Sequence, residues 1–139
     1  MAIREVGLRD GLQIIDRVMP TKHKLAWLRG AHAAGLREIE VGSFVPPARM
    51  PQLADTDQLV AAALELPGLR VSVLVPNLRG GMRAIESGAH AMIFPVSASE
   101  AHSLANLRKT PAQAVLEVAR IREARDAGGS RCEIEVGIS

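Results

Sequence analysis

A glycine followed at once, or within a few residues, by a short apolar run recurs at Gly35, Gly68, Gly88 and Gly128. Each glycine closes an amphipathic stretch in the manner of a helix stop, and each apolar run is too short for a helix. The pattern predicts strands over Ile3–Leu8, Leu36–Val41, Leu69–Val75, Ala91–Val96 and Cys132–Val136. It predicts helices from Thr21 to the stop at Gly35, over Thr56–Leu66, Leu78–Ser87 and Ala112–Ala127, with Ser97–Leu107 running from loop to short helix. Thr21 is the expected N-cap of the first helix, and Thr110-Pro111 opens the last. Strand and helix in alternation imply a parallel sheet with right-handed crossovers.

The polar and special residues gather where the strands end: Arg9-Asp10, Ser43, Pro76-Asn77 and Ser97–Glu100. In parallel α/β folds ligands sit at those carboxyl ends, so separate motifs are directed to one mouth. A doubly wound sheet and a barrel both fit. No G-x-G-x-x-G or G-x-x-x-x-G-K-[ST] follows any strand, which argues against the common dinucleotide and nucleotide sheets. An eight-stranded barrel takes roughly 250 residues, so a 139-residue barrel chain would supply about the first five strands and four helices, as one incomplete domain over residues 1–139.

Composition narrows the partners. Apolar residues make up 47% and charged residues 23% of the chain, which is a globular balance. With one Trp, two Phe and no Tyr, the core must be aliphatic, and the stacking platforms that bind single-stranded nucleic acid are missing. The net charge of +2 comes from scattered arginines, Arg29, Arg37, Arg70, Arg79, Arg83 and Arg120 among them, which read as solvated faces. No apolar run approaches the ~20 residues that span a bilayer, and no signal peptide is visible. Cys132 is the only cysteine, which suits a reducing, cytoplasmic setting.

The chemistry-bearing residues admit two readings each. Arg9 and Asp10 stand between Gly7 and Gly11. Together they offer an anion clamp and a hard metal ligand, or else Asp10 caps a turn and Arg9 is a surface residue. Glu38 and Glu40 alternate on the second strand and so share a face, as do Glu133 and Glu135 on the fifth. A carboxylate buried there needs a partner such as Arg9 or a metal, whereas one at the strand edge pairs with an arginine outside. Asn77, Ser97 and Ser99 could bind an acyl or hydroxyl group or could make ordinary turns. There is no H-x-H or H-E-x-x-H, so no histidine metal site can be built locally.

With these residues in view, the chain resembles the 3-hydroxy-3-methylglutaryl-CoA (HMG-CoA) lyase family. E-V-G-L-R-D-G-L-Q at Glu5–Gln13 resembles its N-terminal signature. I-E-V-G-S-F-V-P-P at Ile39–Pro47, with M-P-Q-L-A-D at Met50–Asp55, resembles its second-strand motif. V-P-N-L-R-G at Val75–Gly80 and S-A-S-E-A-H-S-L-A-N at Ser97–Asn106 resemble the third and fourth. The matches occur in the family's order.

The resemblance implies a (β/α)8 TIM barrel of the DRE-type metallolyase superfamily, using Mg²⁺ or Mn²⁺. It implies Asp10 as a metal ligand, Arg9 as a catalytic and substrate-contacting residue and Glu40 as a second catalytic residue. Gln13, Ser43, Asn77 and Ser99 are then expected to line the pocket. The implied reaction cleaves HMG-CoA, an acyl-CoA partner, to acetyl-CoA and acetoacetate, as in leucine degradation, in a homo-oligomer such as a dimer. Leu8 stands where the family usually has proline, and Ile14-Ile15 where it has Asn-Glu, so a close hydroxyacyl-CoA such as citramalyl-CoA is a further candidate. Alternatives are a Claisen-condensing synthase of the same superfamily and a non-catalytic half-barrel that associates with a partner. The family's H-x-H, later Asn ligand and loop cysteine have no counterpart here, and Cys132 is not that cysteine. One protein metal ligand predicts that these 139 residues alone do not turn over.

Overall fold

The computed structural model describes residues 3–139, with the Asn106 side chain outside the description. Four parallel strands form one sheet: β1 (Glu38–Ser43), β2 (Arg70–Leu74), β3 (Ala91–Val96) and β4 (Glu133–Ile138). Their spatial order is their chain order, β1-β2-β3-β4. A doubly wound sheet reverses direction at a switch point, and none occurs here. The sequential order is that of a barrel wall, which decides between the two topologies the sequence allowed.

The first predicted strand contracts to a single parallel bridge between Glu5 and Ile39. Glu5 N–H donates to the Glu38 carbonyl at 3.0 Å, and Glu40 N–H donates to the Glu5 carbonyl at 2.8 Å. Beyond Val6 the backbone turns away from the ladder. The Asp10 N–H donates to the Val6 carbonyl at 2.7 Å, and Gly7–Gly11 winds into one wide π-turn.

Five helices connect the strands: α1 (Thr21–Ala33), α2 (Thr56–Leu64), α3 (Leu78–Ser87), α4 (Glu100–Leu107) and α5 (Pro111–Ala127). Asn77 caps α3 by accepting from Gly80 N–H, and Ser99 caps α4 by accepting from His102 N–H. Thr110 and Gln113 form a reciprocal capping box at α5. The cap of α1 differs from expectation. Pro20 holds the N-cap position, and the Thr21 hydroxyl donates instead to Asp55 Oδ2 at 2.7 Å. A side chain committed to another element cannot serve its own helix end.

One sheet face is aliphatic and meets the helices. Ile39, Val71, Val73, Met92 and Phe94 are buried there with Leu28, Leu59, Val60 and Ile121. The other face is charged. Glu38 and Arg70 pair in register, and Glu133 and Glu135 follow on β4. Arg4 donates to Glu38 Oε1 at 2.6 Å and to Glu135 Oε2 at 2.7 Å. In a flat sheet the chain at Arg4 would lie four strand spacings from β4, roughly 19 Å, further than two side chains reach. The sheet is therefore curled, with the charged face on its concave side. Burial works against the Arg4 charge, but the hydrogen bonds it donates to Glu135 and Glu38, with their negative charges, outweigh it and hold the guanidinium more firmly protonated than usual. Glu38 and Glu40 thus face inward together, and their arginine partners lie on that same concave side.

Candidate active site at the carboxyl ends of the strands

The site is built where the π-turn meets β1. The Gly7–Gly11 turn lays Arg9 against the sheet while Leu8 is buried beneath. A Cβ on Gly7 would lie 2.9 Å from its neighbour Glu5 Oε1, which accepts the Gly7 N–H at 2.7 Å. Arg9 Nε donates to Glu40 Oε1 at 2.5 Å, and Arg9 Nη1 donates to Asp10 Oδ1 at 2.9 Å. Glu40 is 2% exposed, so its charge depends on Arg9 for compensation. Asp10 is the outer member, with a side chain 58% exposed.

The strand-end geometry is helped by a bulge. The register of β1 against β2 slips between Glu40 and Gly42, leaving Val41 as the extra residue. The slip returns Ser43 to the inner side, where its hydroxyl donates to the Leu74 carbonyl at 3.1 Å. Gly42 faces α2, and a Cβ there would lie 2.3 Å from Thr56 Oγ1.

Arg9, Asp10 and Glu40 are therefore brought into one hydrogen-bonded unit, and Ser43 lies on the same strand end. Gln13 is exposed on the following loop and makes no side-chain hydrogen bond among the described residues. Asn77 and Ser99 are engaged at helix caps. Asn77 lines a separate cleft of about 250 Å³ with Phe44, Pro46, Arg79 and Arg83. The Arg83 guanidinium stacks 4.5 Å from the Phe44 ring centroid. A slightly larger cavity, about 280 Å³, opens beside Arg70, His90 and Cys132 at the opposite end of the strands. Burial pushes the Cys132 thiol up to about 11, so it is protonated at neutral pH.

A divalent cation needs hard oxygen ligands. Asp10 Oδ2 accepts no hydrogen bond among the described residues and faces solvent, so it can supply one. Among those residues no group of three His, Cys, Asp or Glu side chains could enclose a metal. The set fits a cation held by one carboxylate and completed by other oxygens, a habit typical of Mg²⁺, and does not fit a closed protein cage.

Two residues that hold this region together carry no obvious signal. Lys24 is 1% exposed on α1, and its Nζ donates to Asp55 Oδ1 and to the Gln52 carbonyl, both at 2.6 Å. Its one clue is position, four residues before the buried Leu28 on the same helical stripe. Arg4, which lies among the first described residues, shows no pattern at all until β4 is folded beside it.

The HMGL-like family model matches residues 1–138. A mitochondrial hydroxymethylglutaryl-CoA lyase of Arabidopsis thaliana is 40% identical over 114 residues, 82% of this chain and 24% of that protein. A 3-hydroxy-3-isohexenylglutaryl-CoA/hydroxymethylglutaryl-CoA lyase of Pseudomonas aeruginosa is 37% identical over 134 residues, 92% of this chain and 45% of its own length. The structure of an HMG-CoA lyase from A. baumannii in complex with coenzyme A and 3-methylmalate superposes with a TM-score of 0.87 at 33% identity, over 99% of this chain and 44% of that one. The chain thus spans less than half the length of these relatives. No helix among the described residues is long and apolar enough to cross a membrane.

Proposed function

The chain belongs to the HMGL-like family, with the α/β architecture of part of a TIM barrel, and from that premise we propose that it is part of a carbon–carbon lyase acting on a hydroxyacyl-CoA. The observation that carries the reading is the Arg9–Glu40 pair, which joins the turn after the Glu5 bridge to the middle of β1. It supplies a fixed cation at the place where parallel barrels do chemistry. The relatives are lyases of HMG-CoA or its isohexenyl homologue, which suggests the substrate class, and the A. baumannii neighbour holds coenzyme A.

A retro-Claisen cleavage passes the 3-hydroxyl proton to a base as the C2–C3 bond breaks, so that C3 becomes the ketone of acetoacetate and the bonding pair becomes the enolate of acetyl-CoA. Arg9, oriented by buried Glu40, presents its remaining N–H groups to the thioester oxygen as negative charge develops there. Its planar fork fits that oxygen, and Glu40 stops it from turning away. Asp10 supplies one ligand of a Mg²⁺ or Mn²⁺ ion, which when bound lowers the pKa of the substrate hydroxyl. Ser43 on the same strand end and exposed Gln13 are the further lining residues of this reading, with Asn77 and Ser99 held at the caps of α3 and α4. Since one carboxylate is a weak metal site, the 139 residues alone are inactive in this reading. A reducing compartment such as the cytoplasm suits a chain whose single cysteine leaves no intrachain disulfide.

The test is acetyl-CoA release from HMG-CoA with Mg²⁺, using this chain fused at Ser139 to the C-terminal portion of the P. aeruginosa relative. Release that needs both the metal and Asp10 supports the reading. A folded fusion that binds coenzyme A yet cleaves no hydroxyacyl-CoA overturns it, and condensation of acetyl-CoA with a keto acid would instead identify a synthase. A second reading, association with a partner or a second copy, is favoured by the outer edge of β4, where Val136 and Ile138 are exposed. Sedimentation of the chain alone separates the two states.

A further inference from the structure

The 52–56 turn, between β1 and α2, is bonded to three elements: α1, the end of β1 and the loop that follows the π-turn. Asp55 accepts from Lys24 Nζ through one oxygen and from the Thr21 hydroxyl through the other, which fastens the turn to α1. Thr56 Oγ1 accepts the Ser43 N–H at 3.1 Å and donates to the Leu53 carbonyl at 2.7 Å, which fastens it to the end of β1. Gln52 Nε2 donates to the Ile15 carbonyl at 2.7 Å, which fastens it to the loop that follows Arg9 and Asp10. Lys24 then grips the turn again at the Gln52 carbonyl. One end of this brace holds the strand of Glu40 and the other holds the loop of Arg9.

We propose that Lys24, Asp55 and Gln52 are positioning residues that set the Arg9–Glu40 geometry from behind the site. The proposal rests on reading Arg9 as the substrate-facing cation. A buried ammonium bonded to a carboxylate and a carbonyl has little rotational freedom, so it makes a stiff anchor. Gln52 is the only member whose side chain reaches the Arg9 loop, and its bond to Ile15 lies on the exposed side of the brace. Loosening that bond frees the loop while leaving the buried pair in place. A displacement of about 1 Å at a catalytic group can cost on the order of 100-fold in rate, so the brace bears on turnover without touching substrate.

The test uses ¹⁵N-labelled chain and the variant Gln52→Leu, with Gln52→Glu as a second variant that keeps the side-chain length but replaces the donor by an acceptor. The readouts are the Arg9 Nε–H resonance, hydrogen exchange at the Asp10 and Gly11 amides, and the melting temperature. The expected result is a shifted and broadened Arg9 Nε–H signal and roughly tenfold faster exchange at Asp10 and Gly11, with the Val73 and Phe94 amides and the melting temperature unchanged. An unchanged Arg9 signal in both variants overturns the proposal. So does uniform acceleration at every amide, which would make the brace merely structural. None of these readouts uses catalysis. Absence of lyase activity beside an Arg9 signal that answers to Gln52 therefore removes the functional reading and leaves the brace.

Discussion

Arg9 and Glu40, thirty-one residues apart, form a 2.5 Å hydrogen bond in which the carboxylate is buried and the guanidinium lies at the surface of the mouth. The pair is directional. Glu40 occupies Nε and Asp10 occupies Nη1, which leaves the other terminal nitrogen of the fork to face a ligand. This makes Arg9 a preorganised donor and gives the first prediction its form.

Arg9→Lys in a preparation with lyase activity is expected to lower kcat by about 100-fold or more with a much smaller change in KM, the scale of losing one oxyanion donor. An ammonium can keep the charge beside Glu40 but cannot bond Glu40, Asp10 and substrate along fixed directions. Steady-state kinetics on HMG-CoA measure this, and a near-normal kcat would remove Arg9 from the proposed chemistry.

Gly42→Ala is expected to destabilise the fold by about 2–3 kcal/mol, at the upper end of ordinary overpacking. The new Cβ would lie 2.3 Å from Thr56 Oγ1 and 2.9 Å from Thr56 Cγ2. Thr56 cannot swing aside without releasing Ser43 N–H and the Leu53 carbonyl. Urea unfolding measures the loss. The double variant Gly42→Ala/Thr56→Ala should be less destabilised than the sum of the two singles, because the second change removes the clashing atoms.

Acid stability is expected to depend on Glu117. Burial raises the pKa of its carboxyl, but the hydrogen bonds from Lys109 and the Leu78 N–H, with the charges of Lys109 and Arg120, outweigh it and hold the pKa below the ordinary 4.5. A depressed carboxylate contributes stability that is fully present above its unfolded value and is lost as pH falls through the folded one. The chain should therefore lose stability from just above pH 4.5 downward. Lys109→Met should flatten that limb and leave the slope above pH 6 unchanged within about 0.3 kcal/mol per unit. Thermal melts across pH 3–7 would show it.

Cys132 is expected to resist thiol reagents. Burial, the dominant influence, lifts its pKa to about 11 against the smaller opposing pull of Arg125 and Arg70. At pH 8 only about one thiol in a thousand is then thiolate. Labelling of the native chain should be slower than in denaturant by orders of magnitude, and equal rates would place the thiol at the surface.

Local signals carried much of the architecture. The ranges Leu78–Ser87 and Ala91–Val96 are legible to the residue, because Pro76-Asn77 ends the strand before the helix, Gly88 stops the helix, and the apolar run after it gives way to polar Ser97. The Arg9-Asp10 segment is legible as a turn from its glycines and from its place after a strand. Much of what surrounds it is not. The first strand shrinks to one bridge because the amides after Gly7 turn back to the Val6 carbonyl instead of extending the ladder.

By itself the sequence determined the alternation of strand and helix, the helix cap Thr110, the aliphatic core and the gathering of polar residues at the strand ends. Those follow from periodicity and from the backbone preferences of Gly, Pro, Asn and Ser, which act over a few residues. Only the tertiary structure decided that the sheet curls, that Arg4 meets Glu135, that Lys24 is buried against Asp55 and that Glu40 closes on Arg9. A charge has no fixed role along a chain. Its worth is set by how much water it loses and by which opposite charge arrives, and both are supplied by segments tens of residues away.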